Sequence, residues 1–460
     1  LYTRFASGLL FPLHELAKGH RTVAVRRELE RTQWLAPDEL APYQRTRLGA
    51  FIQDVYARVP YVRRLFDSQG LVPTDIRAVD DLRRLPLMEK GTIRDNVEAM
   101  KARDARGLSR FNTGGSSGEP LVFYIGKERV AHDVAAKWRA TRWWGVDIGD
   151  REIVVWGSPI ELGAQDRIRA LRDRLLRTRL VPAFELSAAN LDRFVEAIHR
   201  FRPRMLFGYP SSLALIAAHA EAAGIALDDV GILGAFVTSE RLYDHQRETI
   251  ERVYGCPVAT GYGGRDAGFI AHACPEGRLH ITAEDIVVEI VDPKGQPVPV
   301  GEAGEIVVTH LATADFPFIR YRTGDIGAFD PAPCPCGRGL PVLGRLEGRT
   351  TDFIVAADGT VMHGLALIYV LRDIEAIDQF KIVQESLSLT RVLLTAAAPL
   401  AAATIADIEA QFRRRLGESV EISVEQVPEI ARERSGKYRY VVSRVGVPGA
   451  GTMPAADSPR

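Results

Sequence analysis

The chain has 460 residues, 46% of them hydrophobic and 26% charged, a length and balance that require more than one buried core and an ordinary water-facing surface. Lys plus Arg and Asp plus Glu both total 59, so overall charge gives no reason to make nucleic acid or an anionic membrane the main partner. No apolar run approaches the roughly 20 residues of a membrane span, and four cysteines are too few for a disulfide scaffold at this size, which makes the cytoplasm the expected compartment.

The first hundred residues read as mostly helical. Leu9, Leu10, Phe11 and Leu13 form a short apolar patch that Pro12 and His14 interrupt; with no long apolar stretch and no small-residue cleavage site, it is not read as a signal peptide. Residues 39–58 carry apolar positions on one helical face, and Val59-Pro60-Tyr61 breaks the pattern. From Leu121 onward, short apolar runs alternate with helical segments. Residues 153–156, 205–207, 232–237 and 257–259 read as buried strands, with helices over 191–201 and 211–223, the second capped by Ser211 or Ser212. Residues 166–180 read as one helix carrying six arginines, in which Ile168, Leu171, Leu175 and Leu176 form a core-facing stripe; the alternative is a surface that docks a phosphorylated cofactor or a carrier protein. Beyond His280 the texture turns β-rich, with strands at 286–291 and 305–309 around a turn at 293–297.

A second unit is expected from about Gly348. Asp358-Gly359 signals a hairpin, and residues 391–396, 405–416 and 420–424 read as a small β-α-β unit. The expected fold class is α/β: a large N-terminal domain over 1–347, layered α/β with a β-rich subdomain, and a small α+β C-terminal domain over 348–445. The tail 446–460, with Pro448, Pro454 and Pro459, is expected to be disordered.

Four glycine-hinged polar motifs carry the chemistry. The first, Asn112-Thr113-Gly114-Gly115-Ser116-Ser117-Gly118-Glu119-Pro120, offers backbone N–H groups and hydroxyls for close approach to an anion, yet lacks the Gly-Lys-Ser/Thr ending of a P-loop. Gly261-Tyr262-Gly263-Gly264-Arg265-Asp266, Tyr321-Arg322-Thr323-Gly324-Asp325 and Ser435-Gly436-Lys437-Tyr438-Arg439 follow in that order. The arrangement points to one nucleotide held between two lobes. Only eight of the 59 basic residues are lysines, which singles out Lys437 inside its motif.

Together, from about Val59 to Arg444, these motifs resemble the adenylate-forming ligases, in the branch of phenylacetate–CoA ligase and the CapK-like proteins. The resemblance implies that ATP and a carboxylate form an acyl adenylate, and that the acyl group then passes to coenzyme A, with a small C-terminal domain swinging across the large one. Thr113, Ser116, Ser117 and Gly118 would hold the β- and γ-phosphates. Tyr262 would stack on adenine, with Gly263 beside it, and Glu240 in Val237-Thr238-Ser239-Glu240 matches the adenine-side loop. Asp266 would hold Mg2+, although the family usually has Glu there. Asp325 resembles the ribose-binding aspartate, and Arg349 the arginine that joins it from the domain junction, where Thr351 replaces the usual acidic or lysine hinge residue. Lys437 would enter beside the carboxylate and α-phosphate, since a compact ammonium on a flexible stem suits a charge that must arrive and depart. Transfer to a carrier-protein thiol, an amine or a hydroxyl, or a degenerate nucleotide-binding role, remain open alternatives, as do the identity of the acid and the oligomeric state.

Cys274 and His280 in one turn-rich loop, with Cys334 and Cys336 in another, supply three thiols and an imidazole, an inventory that fits a closed tetrahedral Zn2+ site; similar loops occur in the CapK-like branch. His272 is the competing fourth ligand. Cys256 reads as a small core residue. Trp156, Phe207 and Tyr209 either line the acid's pocket or fill the core.

Overall fold

The computed structural model describes residues 1–112, 121–156, 167–182, 188–240, 242–292, 294–347, 353–372, 374, 376–430 and 441–445. The N-terminal part is helical. Three segments, Tyr2–Phe5, Ala6–Leu10 and Phe11–Lys18, run on from one another and stop at Gly19, which adopts φ +69°. Helices Thr22–Thr32, Pro37–Arg58 and Pro60–Ser68 follow. Proline starts the last two, where its missing N–H costs nothing, and Pro60 forces Val59 into extended backbone, so the long helix ends there.

Strands β1 (Ser109–Asn112) and β2 (Val122–Ile125) form an antiparallel pair, and helix Lys127–Arg142 follows. β3 (Glu152–Trp156), β4 (Thr178–Pro182), β5 (Met205–Gly208), β6 (Gly234–Val237) and β7 (Val258–Gly264) alternate with helices Arg167–Leu176, Ala188–Phe201, Pro210–Ala222 and Asp244–Tyr254. Their near-continuous apolar runs suit strands covered on both faces, and they pair in parallel in the order β4-β3-β5-β6-β7. β8 (Gly268–Ala273), β9 (Leu279–Ile281), β10 (Ile286–Val291), β11 (Gly304–His310), β12 (Tyr321–Asp330) and β13 (Val342–Glu347) extend that sheet antiparallel from β7, giving eleven strands in the order β10-β11-β12-β13-β9-β8-β7-β6-β5-β3-β4. One core packs the long N-terminal helices against the β-rich half of this sheet, including Phe51, Ile52, Phe123, Ile306 and Phe318. A second, with Ile153, Leu206, Ile216, Ile250 and Tyr254, fills the parallel half.

β14 (Phe353–Val355) and β15 (Val361–His363) form the hairpin expected at Asp358-Gly359. Gly359 takes φ +84°, and the Asp358 carboxylate accepts from the Thr360 amide at 2.8 Å. After helix Leu365–Arg372, β16 (Gln379–Ser386) and β17 (Leu389–Thr395) pair antiparallel; helix Ala402–Leu416 then carries the chain to β18 (Glu421–Gln426), parallel to β17, and β19 (Val441–Ser443) joins β16 in parallel. This four-stranded sheet has its own core, with Ile354, Leu367, Phe380, Ile408 and Phe412. No helix among the described residues is long and apolar enough to cross a membrane.

Two local readings are corrected. The helix expected over 166–180 spans only Arg167–Leu176; Arg177 takes φ +58°, and residues 178–182 are β4. Its Leu171 and Leu175 face solvent, and of the supposed core stripe only Leu176 is shown packing inward, against the Phe11 and Trp138 cluster. Helix Pro210–Ala222 is not capped by Ser211 or Ser212: Tyr209 holds the N-cap position without a side-chain hydrogen bond, and the Ser211 hydroxyl donates instead to the Glu240 carboxylate.

Candidate functional site

The site gathers at the carboxyl ends of the parallel strands, the general location of ligand crevices in open α/β sheets. Gly208 ends β5; a Cβ there would stand 2.5 Å from the Val155 carbonyl oxygen, so only glycine lets β5 lie this close to β3. Beyond β6, Ser239 takes φ +73°, a strained turn that carries Thr238 beside Gly261 and Glu240 within reach of Ser211. Gly263 sits at a bulge between β7 and β8, where a Cβ would fall 2.1 Å from the Gly268 carbonyl oxygen.

Tyr262 and Asp325 lie 63 positions apart in sequence, and the Tyr262 hydroxyl donates to Asp325 Oδ2 at 3.0 Å. Thr323 supports the pair, donating its hydroxyl to the Ile306 carbonyl at 2.8 Å and accepting from the Asp325 amide at 3.1 Å. Asp266 accepts at Oδ2 from the Tyr321 hydroxyl at 2.6 Å and at Oδ1 from the Ala267 amide at 3.1 Å. Alternate residues of β12, Tyr321, Thr323 and Asp325, thus act on one side, while Arg322 leaves in the other direction to Glu305 and Glu89. Arg129, fully buried on helix Lys127–Arg142, donates to the Arg265 and Asp266 carbonyls at 3.3 Å each and to Asp133 at 2.8 Å, fixing the 265–266 turn.

The structure therefore brings together Tyr262, Gly263, Asp266 and Asp325, and holds Glu240 on the neighbouring β6 turn. Thr113, Ser116, Ser117 and Gly118, Arg349 and Lys437 lie outside the described residues, as do Thr351 and the tail 446–460. Sequence reasoning missed Tyr321 and Arg129. Tyr321 was legible: it opens the Tyr-Arg-Thr-Gly-Asp motif and shares the parity of Asp325. Arg129 carried no local signal.

A row of aromatic side chains borders the same strand ends. Trp156 stacks on Tyr209 with ring centroids 4.4 Å apart and meets Phe207 at 5.8 Å. The Lys137 ammonium sits 4.5 Å from the Phe207 ring centre and 2.7 Å from Glu152. His272, opposite Gly261 across the β7–β8 pair, stacks on Phe269 at 5.4 Å, and neither of its ring nitrogens has a hydrogen-bond partner among the described residues. Burial, together with the nearby Arg139 charge, pushes its pKa down to about 3.

The four predicted metal ligands converge. The ligand atoms of Cys274, His280, Cys334 and Cys336 all lie within 4.8 Å of one another, with Cys274 Sγ 3.6 Å from Cys334 Sγ and Cys336 Sγ 3.2 Å from His280 Nε2. His280 Nδ1 donates to the Leu340 carbonyl at 3.1 Å, which fixes the tautomer that leaves Nε2 facing the thiols. Burial pushes the His280 imidazole down to about 4 and the Cys334 thiol up to about 12. The neutral imidazole is thus ready to ligate, whereas a Cys334 thiolate is costly unless a cation shares the site. His272, the rival ligand, is outside this group. Cys256 is a buried thiol whose pKa burial raises to about 12, in keeping with a core role.

Comparison with known proteins agrees with this geometry. Residues 177–314 match the family model described as AMP-binding enzyme, and residues 354–444 the one described as CapK C-terminal domain. A phenylacetate-coenzyme A ligase of Thermus thermophilus is 27% identical over 335 residues, covering 70% of this chain and 73% of its own. Protein CapK of Staphylococcus aureus is 24% identical over 412 residues, covering 89% and 90%. The crystal structure of a 2-hydroxyisobutyryl-CoA ligase in complex with 2-HIB-AMP and CoA shares the fold with a TM-score of 0.64 over 90% of this chain and 91% of that one, at 20% identity.

Proposed function

We propose that this chain, which belongs to the adenylate-forming superfamily in its phenylacetate–CoA ligase and CapK branch, is an ATP-dependent ligase that joins a carboxylic acid to AMP and then passes the acyl group to coenzyme A. The observation that carries the reading is the convergence of two distant motifs through the Tyr262–Asp325 and Tyr321–Asp266 hydrogen bonds.

A carboxylate resists acyl transfer because its charge repels nucleophiles and oxide is a poor leaving group. Attack of its oxygen on the α-phosphorus of ATP breaks the bond to pyrophosphate and gives a mixed anhydride. Sulfur of coenzyme A then attacks the acyl carbon, and AMP leaves with the electron pair. Two anions must meet, so donors and cations have to stand where charge gathers. In this reading the Asp325 carboxylate accepts from the ribose hydroxyls, Tyr262 holds one of its oxygens in place, and Arg349 joins from the next lobe. Tyr262, Gly263 and Glu240 border adenine, while Thr113, Ser116, Ser117 and Gly118 take the β- and γ-phosphates. Asp266, an oxygen donor fixed by Tyr321, is the residue that would hold Mg2+, which neutralises phosphate charge when bound. Lys437 belongs to a C-terminal lobe, residues 348–445, that closes over residues 1–347 and withdraws after adenylation. Trp156, Phe207 and Tyr209 wall the acid's pocket.

Cys274, His280, Cys334 and Cys336 form a structural Zn2+ site, saturated by its four protein ligands and so without a position for substrate. Thiolate ligands of this kind agree with a reducing cytoplasm.

The test is a pyrophosphate-release screen over aryl and fatty acids, with and without coenzyme A. Release that depends on acid, with a thioester only when coenzyme A is present, is the expected result. Pyrophosphate without thioester would move the acceptor to a carrier-protein thiol, an amine or a hydroxyl; no release with any acid would leave only nucleotide binding. Lys437→Ala should abolish acid-driven pyrophosphate release while thioester formation from supplied acyl adenylate persists. Equal loss of both half-reactions removes the assigned role.

A further inference from the structure

His272 is a buried side chain whose hydrogen-bonding capacity is unused: both ring nitrogens are shut off from solvent, and neither has a partner among the described residues. A donor and an acceptor left unpaired in an interior are costly, and they mark a place where another polar group binds. The surroundings say which kind. Phe207, Phe236 and Ala259 stand opposite one another on β5, β6 and β7. Two residues further along, Thr238 and Gly261 lie on the same face of the sheet, and His272 is the partner of Gly261 on β8. Helix Lys127–Arg142 and the residues after it cover this face. Lys137 lies over Phe207, while Trp144 meets Phe236 edge-on at 6.3 Å and donates to the Ala273 carbonyl at 2.9 Å. A methyl group on Gly261 would stand 3.6 Å from His272 Cδ2 and 3.7 Å from Thr238 Oγ1, both ordinary contact distances. Glycine thus leaves a methyl-sized slot between the imidazole edge and a hydroxyl, one residue before Tyr262.

We infer that His272 determines which acid is accepted, by pairing with a hydroxyl group on the acid's tail. The inference rests on the ligase reading proposed above, in which the same strand ends hold the acid. Three strand spacings, about 14 Å, separate β5 from β8. An acid lying between Phe207 and His272 therefore has room for one substituted aromatic ring once both side chains are in place. An imidazole this deep, with no carboxylate bonded to it, is neutral, so one nitrogen donates and the other accepts. A hydroxyl serves either nitrogen, because it carries a donor and lone pairs together. A second carboxylate suits the slot poorly: it offers acceptors alone and brings a further charge into the interior. An unsubstituted ring would leave both nitrogens unpaired, and a site built around a substrate hydroxyl rejects the analogue that lacks it. The Thr238 hydroxyl, across the slot, is placed to take the second hydrogen bond of the same group.

The test compares wild type, His272→Leu and His272→Gln with matched acids: benzoate and para-hydroxybenzoate, phenylacetate and its meta- and para-hydroxy forms. Acid binding is read by calorimetry and turnover by acid-driven pyrophosphate release. Wild type is expected to favour a hydroxylated acid over its parent by about tenfold or more, in Kd and in kcat/KM. His272→Leu should bring that ratio to within about threefold of unity while the KM for ATP stays put, whereas His272→Gln, which keeps a donor and an acceptor, retains most of it. The melting temperature of the leucine variant should not fall, because it removes two unpaired nitrogens. No acid bound by wild type, no hydroxyl preference in wild type, or a preference that survives in His272→Leu overturns the inference. So does a KM for ATP that rises with that for the acid, or loss of zinc from the leucine variant, which would make His272 a metal ligand. Hydroxyl-dependent binding that the leucine variant loses, with no pyrophosphate released by any acid, would instead remove the ligase reading and leave the role of His272 standing.

Discussion

At position 266 the carboxylate is one methylene shorter than a glutamate would be, and the Tyr321 hydroxyl fixes it at 2.6 Å. A ligand carboxylate anchored this way loses little freedom on meeting a cation. Tyr321→Phe, which keeps the ring in its apolar surroundings, should raise the Mg2+ concentration needed for half-maximal pyrophosphate release about tenfold, with thioester formation from acyl adenylate little changed. A Mg2+ titration of both half-reactions checks this. Gly208→Ala is expected to cost about 1–3 kcal/mol in chemical denaturation, because the new methyl meets the Val155 carbonyl oxygen at 2.5 Å. Much of the site was legible at this scale because Tyr262, Asp266 and Asp325 sit inside short motifs. Tyr321 was passed over because its motif was read as a string, not as a strand whose alternate residues share a face. Arg129 was illegible for a different reason: a buried arginine that donates to two carbonyls is made by tertiary packing alone.

Among elements, the strands of the parallel half were readable because burial on both faces leaves unbroken apolar runs. The arginine-rich helix was misread because a helical period shows that one face is apolar, not which way that face points. The Cys274, His280, Cys334 and Cys336 cluster joins two loops that sequence could only pair by ligand count. Its second loop also reaches the N-terminal helices: the Arg338 guanidinium lies 4.4 Å from the Trp143 ring centre, and Gln33 accepts from Trp143 at 2.7 Å and from Arg338 at 3.2 Å. Cys334→Ser is therefore expected to remove one equivalent of zinc from the purified protein and to lower the melting temperature by several degrees. Metal analysis beside a thermal melt measures both; stoichiometric zinc retained by the variant would contradict the ligand assignment.

Across the molecule, helix Lys127–Arg142 is pinned to the 282–285 turn by buried charges. Arg139 meets Glu284 at 2.6 Å, while His132 Nδ1 stands 2.7 Å from Asp285 Oδ2, off the ideal hydrogen-bond line, and Arg47 reaches Asp285 at 3.1 Å. Desolvation alone would lower the His132 pKa, but the close Asp285 carboxylate and the hydrogen bond with Glu128 raise it from 6.5 to about 9. A histidine raised in the folded state contributes stability fully below pH 6.5 and loses it as pH rises through about 9. Asp285, which desolvation opposes but His132 holds well below its ordinary 3.8, contributes above that value and loses its share only in strong acid. The melting temperature should accordingly fall between pH 6.5 and 9, and His132→Gln should flatten that decline while lowering stability at pH 6. Thermal melts of both proteins across this range decide it.

Trp156 and Tyr209 stand at the ends of two neighbouring parallel strands, and Phe207 sits opposite Val154, one pair before the end of the ladder between them. Their side chains can be exchanged without moving the strands that present them or the separate β7 and β12 residues assigned to the nucleotide. On the proposed function, in which these rings wall the acid's pocket, trading a few of them for other shapes would alter which acid is accepted while the chemistry that activates it stays put.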